Sequence, residues 1–572
     1  MRLFRIGIYF IFIFLLFSEN PFAFDPPEDS QILRTDQLFP GMRGYCLTTL
    51  GSDEIISFPV EILSVTGSRS SAFPFHTGIL IQVIKEELPS NWTGLAPEMS
   101  GSPVYVNDKL IGALSTVYEW SFHEIAQVRP IEEMLLLDDF QSKRNTQKQN
   151  GEMQTLFDSS KDSETMTYLE SENGKNEKSF EIADKSNINE KALSPGDSVA
   201  AVWSIGDYTS YVKGNITRVD GDSFYAFGKS IFNRAGAINA PLIRTDVISQ
   251  MFGYNFCVQV VNPGLIVGTI QQDRAAGVYG KLGVKPDLIP VETVIHDVPY
   301  GKAYHTLSLV IKDKRFYPNV IPDAVAHSIG KQLNVSGEGT IDLTFRITYS
   351  VNGGNLKTVS VKNMYYSTRV VNSSVEDLRT ALSILAENDF SDVSIQRVDV
   401  DVFWTPYRET GRIESASLQD ASERVKEDDK FVVEHGEEIT VLVSVRNYKR
   451  EPEEQKITFK IDDNFPTGAA VIQIRGGGSI TSPVDYISDE NFKRTEERIK
   501  NRLRVFEPTP PVGLEQLLSS LPCNEPYNRR IVEIISSDQK VKRGQARFSQ
   551  SDSMDMSMVI FGFETIPLLI KD

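Results

Sequence analysis

Short apolar runs broken by Gly, Pro, Asn and Asp recur along most of the chain and predict strands. Between Thr35 and about Leu137 they are Ile56–Leu63, Gly78–Ile84 and Val104–Thr116, the last interrupted by a turn at Asn107-Asp108. The pattern stops over a polar stretch and resumes at Pro195-Gly196-Asp197. Val199–Ser204, Tyr211–Val219, Ser223–Phe227 and Leu265–Ile270 follow, and the β-rich block continues to about Pro299. Leu307–Ile311 and Thr340–Ser350 are further strands. One helix is predicted after Ser374-x-x-Asp377, a capping-box-like start, because Leu378, Ala381, Leu382 and Leu385 fall on one face. From Val398–Phe403 through Ile439–Val445, Ile457–Ile461 and Ala470–Ile474 the strand spacing fits an immunoglobulin-like β-sandwich. The tail carries a Pro-rich turn (Pro508, Pro510, Pro511), a short helix near Leu514–Leu521 and a strand near Val559–Phe563.

Two segments depart from this rhythm. Arg2 and Arg5 precede an uncharged apolar run, Ile6–Phe17, with a cut expected after Ala23; this is the order of a secretory signal. The run is too short for a comfortable membrane span, and no Cys follows it to take a lipid. The expected product is exported, and soluble or tethered only at its N-terminus. Gln141 to about Lys191 is dominated by Gln, Asn, Ser, Lys and Glu, and cannot bury enough surface to offset its ordering entropy. It reads as a disordered linker.

Composition narrows the partners. Of 572 residues, 40% are hydrophobic, enough for several cores, and the net charge of −18 disfavours nucleic acid and anionic bilayers. Cys46, Cys257 and Cys523 lie far apart, which excludes a disulfide framework and a cysteine-rich zinc module. The six His form no close pair or His-Glu-x-x-His motif, so neither a metal nor another cofactor is expected. Gly476-Gly477-Gly478 lacks the Lys-Ser/Thr of a phosphate loop and reads as a hinge.

The stretch that carries chemistry is Glu98-Met99-Ser100-Gly101-Ser102-Pro103, followed by a strand, a turn and a second strand with Ile111-Gly112. A Ser beside Gly on a tight turn can present its hydroxyl as a nucleophile. Its own N–H and that of the residue two before it, Glu98, converge on a developing oxyanion. A Gly/Ser-rich hairpin corner is the plain alternative.

Phe39-Pro40-Gly41-Met42-Arg43-Gly44-Tyr45 through Ile131-Glu132-Glu133-Met134 resembles the SpoIVB family of serine peptidases. So do Val219-Asp220-Gly221-Asp222, Ala226-Phe227-Gly228 and the run from Gly268 to Gly280, which includes Asp273. The resemblance implies a mainly β, trypsin-like double β-barrel with the Ser half first. The expected layout is a signal over 1–23, the Ser half over 24–140, a linker over 141–192 and the second half over 193–300. A mixed α/β segment over 301–397, a sandwich over 398–480 and an α/β extension over 481–572 complete it.

In that family the position after Ala226-Phe227-Gly228 is the general-base His; here it is Lys229, followed by Ser230. An unperturbed Lys is protonated at neutral pH and cannot take the serine proton, unless burial depresses its pKa as in Ser–Lys dyads. Glu98 stands where the family has Gly, which puts a β-carbon and a carboxylate beside the oxyanion; a Glu98–Lys229 salt bridge is one expectation. Asp273 is a candidate third triad member, with a turn or ion-pair role as the alternative. His76 and His123 are stand-in bases only if not structural. The sequence therefore reads as a pseudopeptidase that binds an extended polypeptide or an envelope protein. The alternatives are an active endopeptidase using Ser100 with Lys229 or a displaced His, and an interaction protein acting through its sandwich.

Overall fold

The computed structural model describes residues 31–51, 54–66, 78–88, 92, 94–118, 124–138, 192–252, 257–335, 337–477, 513–519, 526–536 and 549–572. The expected signal, linker and Pro-rich turn lie outside these residues. The chain divides into two compact units, one of residues up to Val202 plus Tyr211–Pro286, the other Trp203–Ser210 plus Asp287–Asp572.

In the first unit, β1 (Arg43–Gly51), β2 (Glu54–Thr66), β3 (Gly78–Val83), β4 (Pro103–Val106), β5 (Lys109–Val117) and β6 (Ile125–Pro130) form a closed barrel in the order β1-β2-β3-β6-β5-β4. Alternation along these strands sends Phe58, Val60, Ile62, Ile79, Ile81, Val104 and Val128 inward, where they are at most 1% exposed. Each such side chain stabilises the barrel by about 1.5–3 kcal/mol. Asn107 and Asp108 both take positive φ, 51° and 58°, the two-residue turn that matches strand twist between β4 and β5.

A second ring follows: β7 (Ser198–Gly206), β8 (Ser210–Asp220), β9 (Ser223–Ala226), β10 (Gly236–Phe252), β11 (Cys257–Arg274) and β12 (Gly277–Leu282). Their order is β10-β11-β12-β9-β8-β7, and pairing of Leu242 with Ala201 joins β10 back to β7. The first unit is thus two six-stranded antiparallel barrels, the Ser-bearing one first. This ring ends at Leu282, short of the expected boundary at 300.

In the second unit, β13 (Leu288–Asp297) pairs with β14 (Lys302–Ile311), and β15 (Gly339–Val351) with β16 (Leu356–Ser367). Between them runs β17 (Val393–Thr405), parallel to β13 and antiparallel to β15. Val398–Phe403, expected in the sandwich, is therefore the centre of the mixed α/β sheet. The helices Tyr317–Leu333 and Glu376–Glu387 bury Ile321, Val325, Leu378 and Leu382. The second helix starts at Glu376 with Val375 as its cap residue and no side-chain cap bond. Asp377 instead accepts from Asn363 and Tyr365 at 2.7 Å each, so the capping box is not made.

The remaining strands are β18 (Thr410–Leu418), β19 (Lys426–Glu427), β20 (Lys430–Glu434), β21 (Glu438–Asn447), β22 (Pro452–Lys460), β23 (Gly468–Gly476), β24 (Arg529–Ser536), β25 (Ser549–Asp555), β26 (Val559–Phe561) and β27 (Phe563–Lys571). They form two sheets, β22-β21-β18-β26 and β19-β20-β27-β23-β24-β25, around one apolar core that includes Val441, Val443, Ile472, Val532 and Leu568. Strands from the expected C-terminal extension complete these sheets. Among the described residues no helix is long and apolar enough to cross a membrane.

Candidate functional site

The nucleophile turn is built by local rules. Pro97 opens a single 3-10 turn, Pro97–Met99, where its missing N–H costs nothing. Met99 is fully buried and pins the turn to the barrel core. Gly101 takes φ +98°, and its N–H donates to the Leu114 carbonyl at 2.7 Å. A β-carbon at Gly101 would strike the Asn215 carbonyl and the Phe227 backbone, so only Gly fits.

Ser100 is 1% exposed. Its Oγ donates to the Pro97 carbonyl oxygen at 2.6 Å, with the Ser115 carbonyl at 3.4 Å. Its backbone N–H donates to the same Pro97 oxygen at 3.1 Å. The two groups that would attack a carbonyl and hold its oxyanion thus converge on a main-chain oxygen of this chain.

The second barrel grips this turn. The Asn215 N–H donates to the Ser100 carbonyl at 2.8 Å, and Thr217 Oγ1 donates to the Gly101 carbonyl at 2.7 Å. Asn215 Nδ2 donates to Thr48 Oγ1 at 2.9 Å and to Ser102 Oγ at 2.6 Å. Behind Ser102 the Cys46 thiol is fully buried; burial raises its pKa, and its hydrogen bond with Ser102 acts the other way.

Lys229 reaches this region through two successive left-handed residues, Phe227 at φ 68° and Gly228 at φ 57°. The Gly228 backbone lies against Ala113 and Leu114 of β5, the strand whose Ser115 carbonyl faces Ser100 Oγ. Lys229 and Ser100 therefore share one neighbourhood. Burial lowers the Lys229 pKa, while the Glu98 carboxylate acts to raise it. Glu98 and Lys229 are coupled through this field but form no ion pair, and Lys229 makes no hydrogen bond among the described residues.

Asp273 is fully buried and turned to another task. Its carboxylate accepts from Ser230 Oγ at 2.8 Å and from the N–H groups of Ile231, Phe232 and Ala235 at 2.8, 3.0 and 3.1 Å. It fixes the loop that follows Lys229, and among the described residues it makes no bond to Lys229 itself. His76 and His123 lie outside the described residues.

Sequence reasoning missed Lys213. This side chain, on β8, is 5% exposed, and its Nζ donates to the Glu98 carbonyl at 2.9 Å, Asn215 Oδ1 at 2.9 Å and Gln259 Oε1 at 2.5 Å. Burial pulls its pKa from 10.5 to about 7, opposed by the Glu98 carboxylate. The signal was present: Lys213, Asn215 and Thr217 alternate along a predicted strand and so share one face. Among the described residues no group of His, Cys, Asp and Glu is placed to hold a metal ion.

Residues 27–123 match the family model described as SpoIVB peptidase S55. The match covers β1 to β5 of the first barrel with the Ser100 turn; β6, Lys213, Lys229 and Asp273 lie beyond it. No curated protein and no solved structure gave a match.

Proposed function

We propose that this is an exported, serine-peptidase-like protein of the periplasm or cell envelope whose Ser100 site is catalytically silent at rest. In this reading its cleft binds an extended polypeptide segment, such as part of an envelope protein. The observation that carries the silent state is the double engagement of Pro97: one carbonyl accepts from both Ser100 Oγ and Ser100 N–H. With that oxygen in place, neither group can serve an acyl transfer.

The side chain at position 98 explains why the turn rests closed. Opening the hole means turning over the Pro97–Glu98 peptide so that the Glu98 N–H replaces the Pro97 oxygen. That rotation carries Glu98 to a positive φ, a region costing a β-carbon residue on the order of 1–3 kcal/mol. A Gly pays no such penalty. The absence of an imidazole at position 229 removes the base as well. Binding without cutting remains open to a barrel cleft, because strand addition uses main-chain hydrogen bonds alone. The sandwich, read as immunoglobulin-like, would serve as an accessory platform.

One observation favours a second reading. The Lys229 amine is partly buried, its pKa is lowered, and it makes no hydrogen bond or ion pair among the described residues. A Ser100–Lys229 dyad is the active alternative. Fluorophosphonate labelling separates the two. The silent reading expects no Ser100-dependent labelling of the wild-type protein, and labelling in Glu98→Gly/Lys229→His that Ser100→Ala abolishes. Labelling of the wild-type protein that rises above neutral pH and disappears in Lys229→Met would establish the dyad instead.

A further inference from the structure

The second barrel places a buried cation under the nucleophile turn. Lys213 sits at the meeting point of three acceptors from three segments: the Glu98 carbonyl on the turn, Asn215 Oδ1 on β8 and Gln259 Oε1 on β11. The two side-chain acceptors are each held at their other end. Asn215 Nδ2 is committed to Thr48 and Ser102, while Gln259 Nε2 donates to the Thr49 carbonyl at 3.0 Å and lies 3.4 Å from Gln250 Oε1. The Gln259 N–H also reaches the Glu98 carboxylate at 3.4 Å. The Glu98 carbonyl is therefore held by one side chain, and that side chain crosses from the other barrel.

Proton arithmetic makes this contact conditional. An ammonium has three N–H donors and satisfies all three oxygens; a neutral amine has two, and its lone pair repels the third. Leaving a buried acceptor unpaired is costly, so losing one proton sets the three contacts in competition. The ionisable groups on the turn and the elements around it include Glu98, Lys229 and two cysteines. Glu98 belongs to the turn itself and Lys229 to the loop after β9, while Cys46 lies on β1 and Cys257 on β11. Of these, the Glu98 carboxylate acts on Lys213 directly and favours the ammonium.

We propose that Lys213 is the positioning residue of the nucleophile turn. Its ammonium clamps the Glu98 carbonyl from the second barrel and couples the order of residues 97–102 to the charge of one buried amine. The clamp fixes the Glu98–Met99 peptide, and the N–H bonds of Gly101 and Ser102 fix the far end of the turn. The Pro97–Glu98 peptide, whose carbonyl is held from within the turn by Ser100, is then the part that can turn over. The inference rests on the reading above only in taking Ser100 as the nucleophile position.

Amide hydrogen exchange of the segment containing residues 97–102, in the full chain, tests it without requiring any reactivity. After correction for the intrinsic pH dependence of exchange, wild-type opening of this segment is expected to rise roughly tenfold or more between pH 6 and 8. In Lys213→Met, opening should be high and flat across the same range. Gln259→Glu, which gives the ammonium a carboxylate partner, should move the wild-type midpoint up by at least about one pH unit. Gln259→Glu also serves if the Met variant does not fold. A flat wild-type profile, or a midpoint unmoved in Gln259→Glu, overturns the clamp. Failure of Glu98→Gly/Lys229→His to label would count against the silent-site reading and leave these exchange results to stand by themselves.

Discussion

The two barrels of the first unit have equal strand counts and apolar cores, but they bury different polar groups. The first is filled by Ile, Val, Phe and Met, and keeps its chemistry at one turn on its rim. The second buries Lys213, Asn215, Thr217, Gln259, Gln272 and Asp273, each no more than 5% exposed. Buried polar groups carry a desolvation cost, so each must find a partner. Several of these partners are in the first barrel's nucleophile turn, and those of Asp273 are in the loop carrying Lys229. One barrel holds the serine; the other holds the serine in place.

That asymmetry can be broken at graded cost. The largest effect is expected from Gly101→Ala, which meets both a positive φ and the backbone of Asn215 and Phe227. Loss of about 4 kcal/mol or more, or failure of this unit to fold, should appear in denaturant unfolding followed by fluorescence. Next is Asp273→Ala, which removes the shared acceptor of four donors; a loss of about 3–5 kcal/mol in the same assay is expected, with faster proteolysis between residues 230 and 235.

Lys213 gives a pH signature. Its folded pKa of about 7 lies below the ordinary 10.5, so in that interval the unfolded chain carries a proton that the folded chain has released. Stability against global unfolding, which returns this amine to water, is therefore lowest below pH 7 and rises as the pH climbs toward 10, by on the order of a few kcal/mol. Local opening of residues 97–102 leaves the amine buried and carries the opposite sign. Subtracting the unfolding free energies of Lys213→Met from those of wild type, between pH 6 and 9.5, should isolate that slope. A difference independent of pH would contradict it. The smallest effect is expected from Thr217→Val, which removes one bond to the Gly101 carbonyl: about 1 kcal/mol by thermal unfolding.

Strands were legible because period-two alternation needs no knowledge of partners. Sheet membership was not: Val398–Phe403 reads the same whether it centres a mixed sheet or edges a sandwich, and only its pairing with Val291–His296 decides. The helix Tyr317–Leu333 was not predicted; it holds Pro318 in its first turn, where a proline is tolerated, and Pro322 in its interior. At the candidate site, Ser100 and Lys229 were singled out by motif. Lys213 was not, since a lysine in a strand is ordinarily a solvated surface residue, and only the fold supplies three oxygens to receive it. Asp273 was recognised as notable, but its partners follow it in no sequence pattern.

The hold of one barrel on the other at Ser100 and Gly101 runs largely through peptide groups: the Asn215 N–H on one carbonyl, and the Asn215 and Phe227 backbones packed against a glycine. Every amino acid except proline supplies the same peptide N–H. Mutational drift in side chains can therefore erase an imidazole or install a carboxylate at this site while the scaffold around it persists. A fold assembled in this way can outlive its chemistry and remain available for another use.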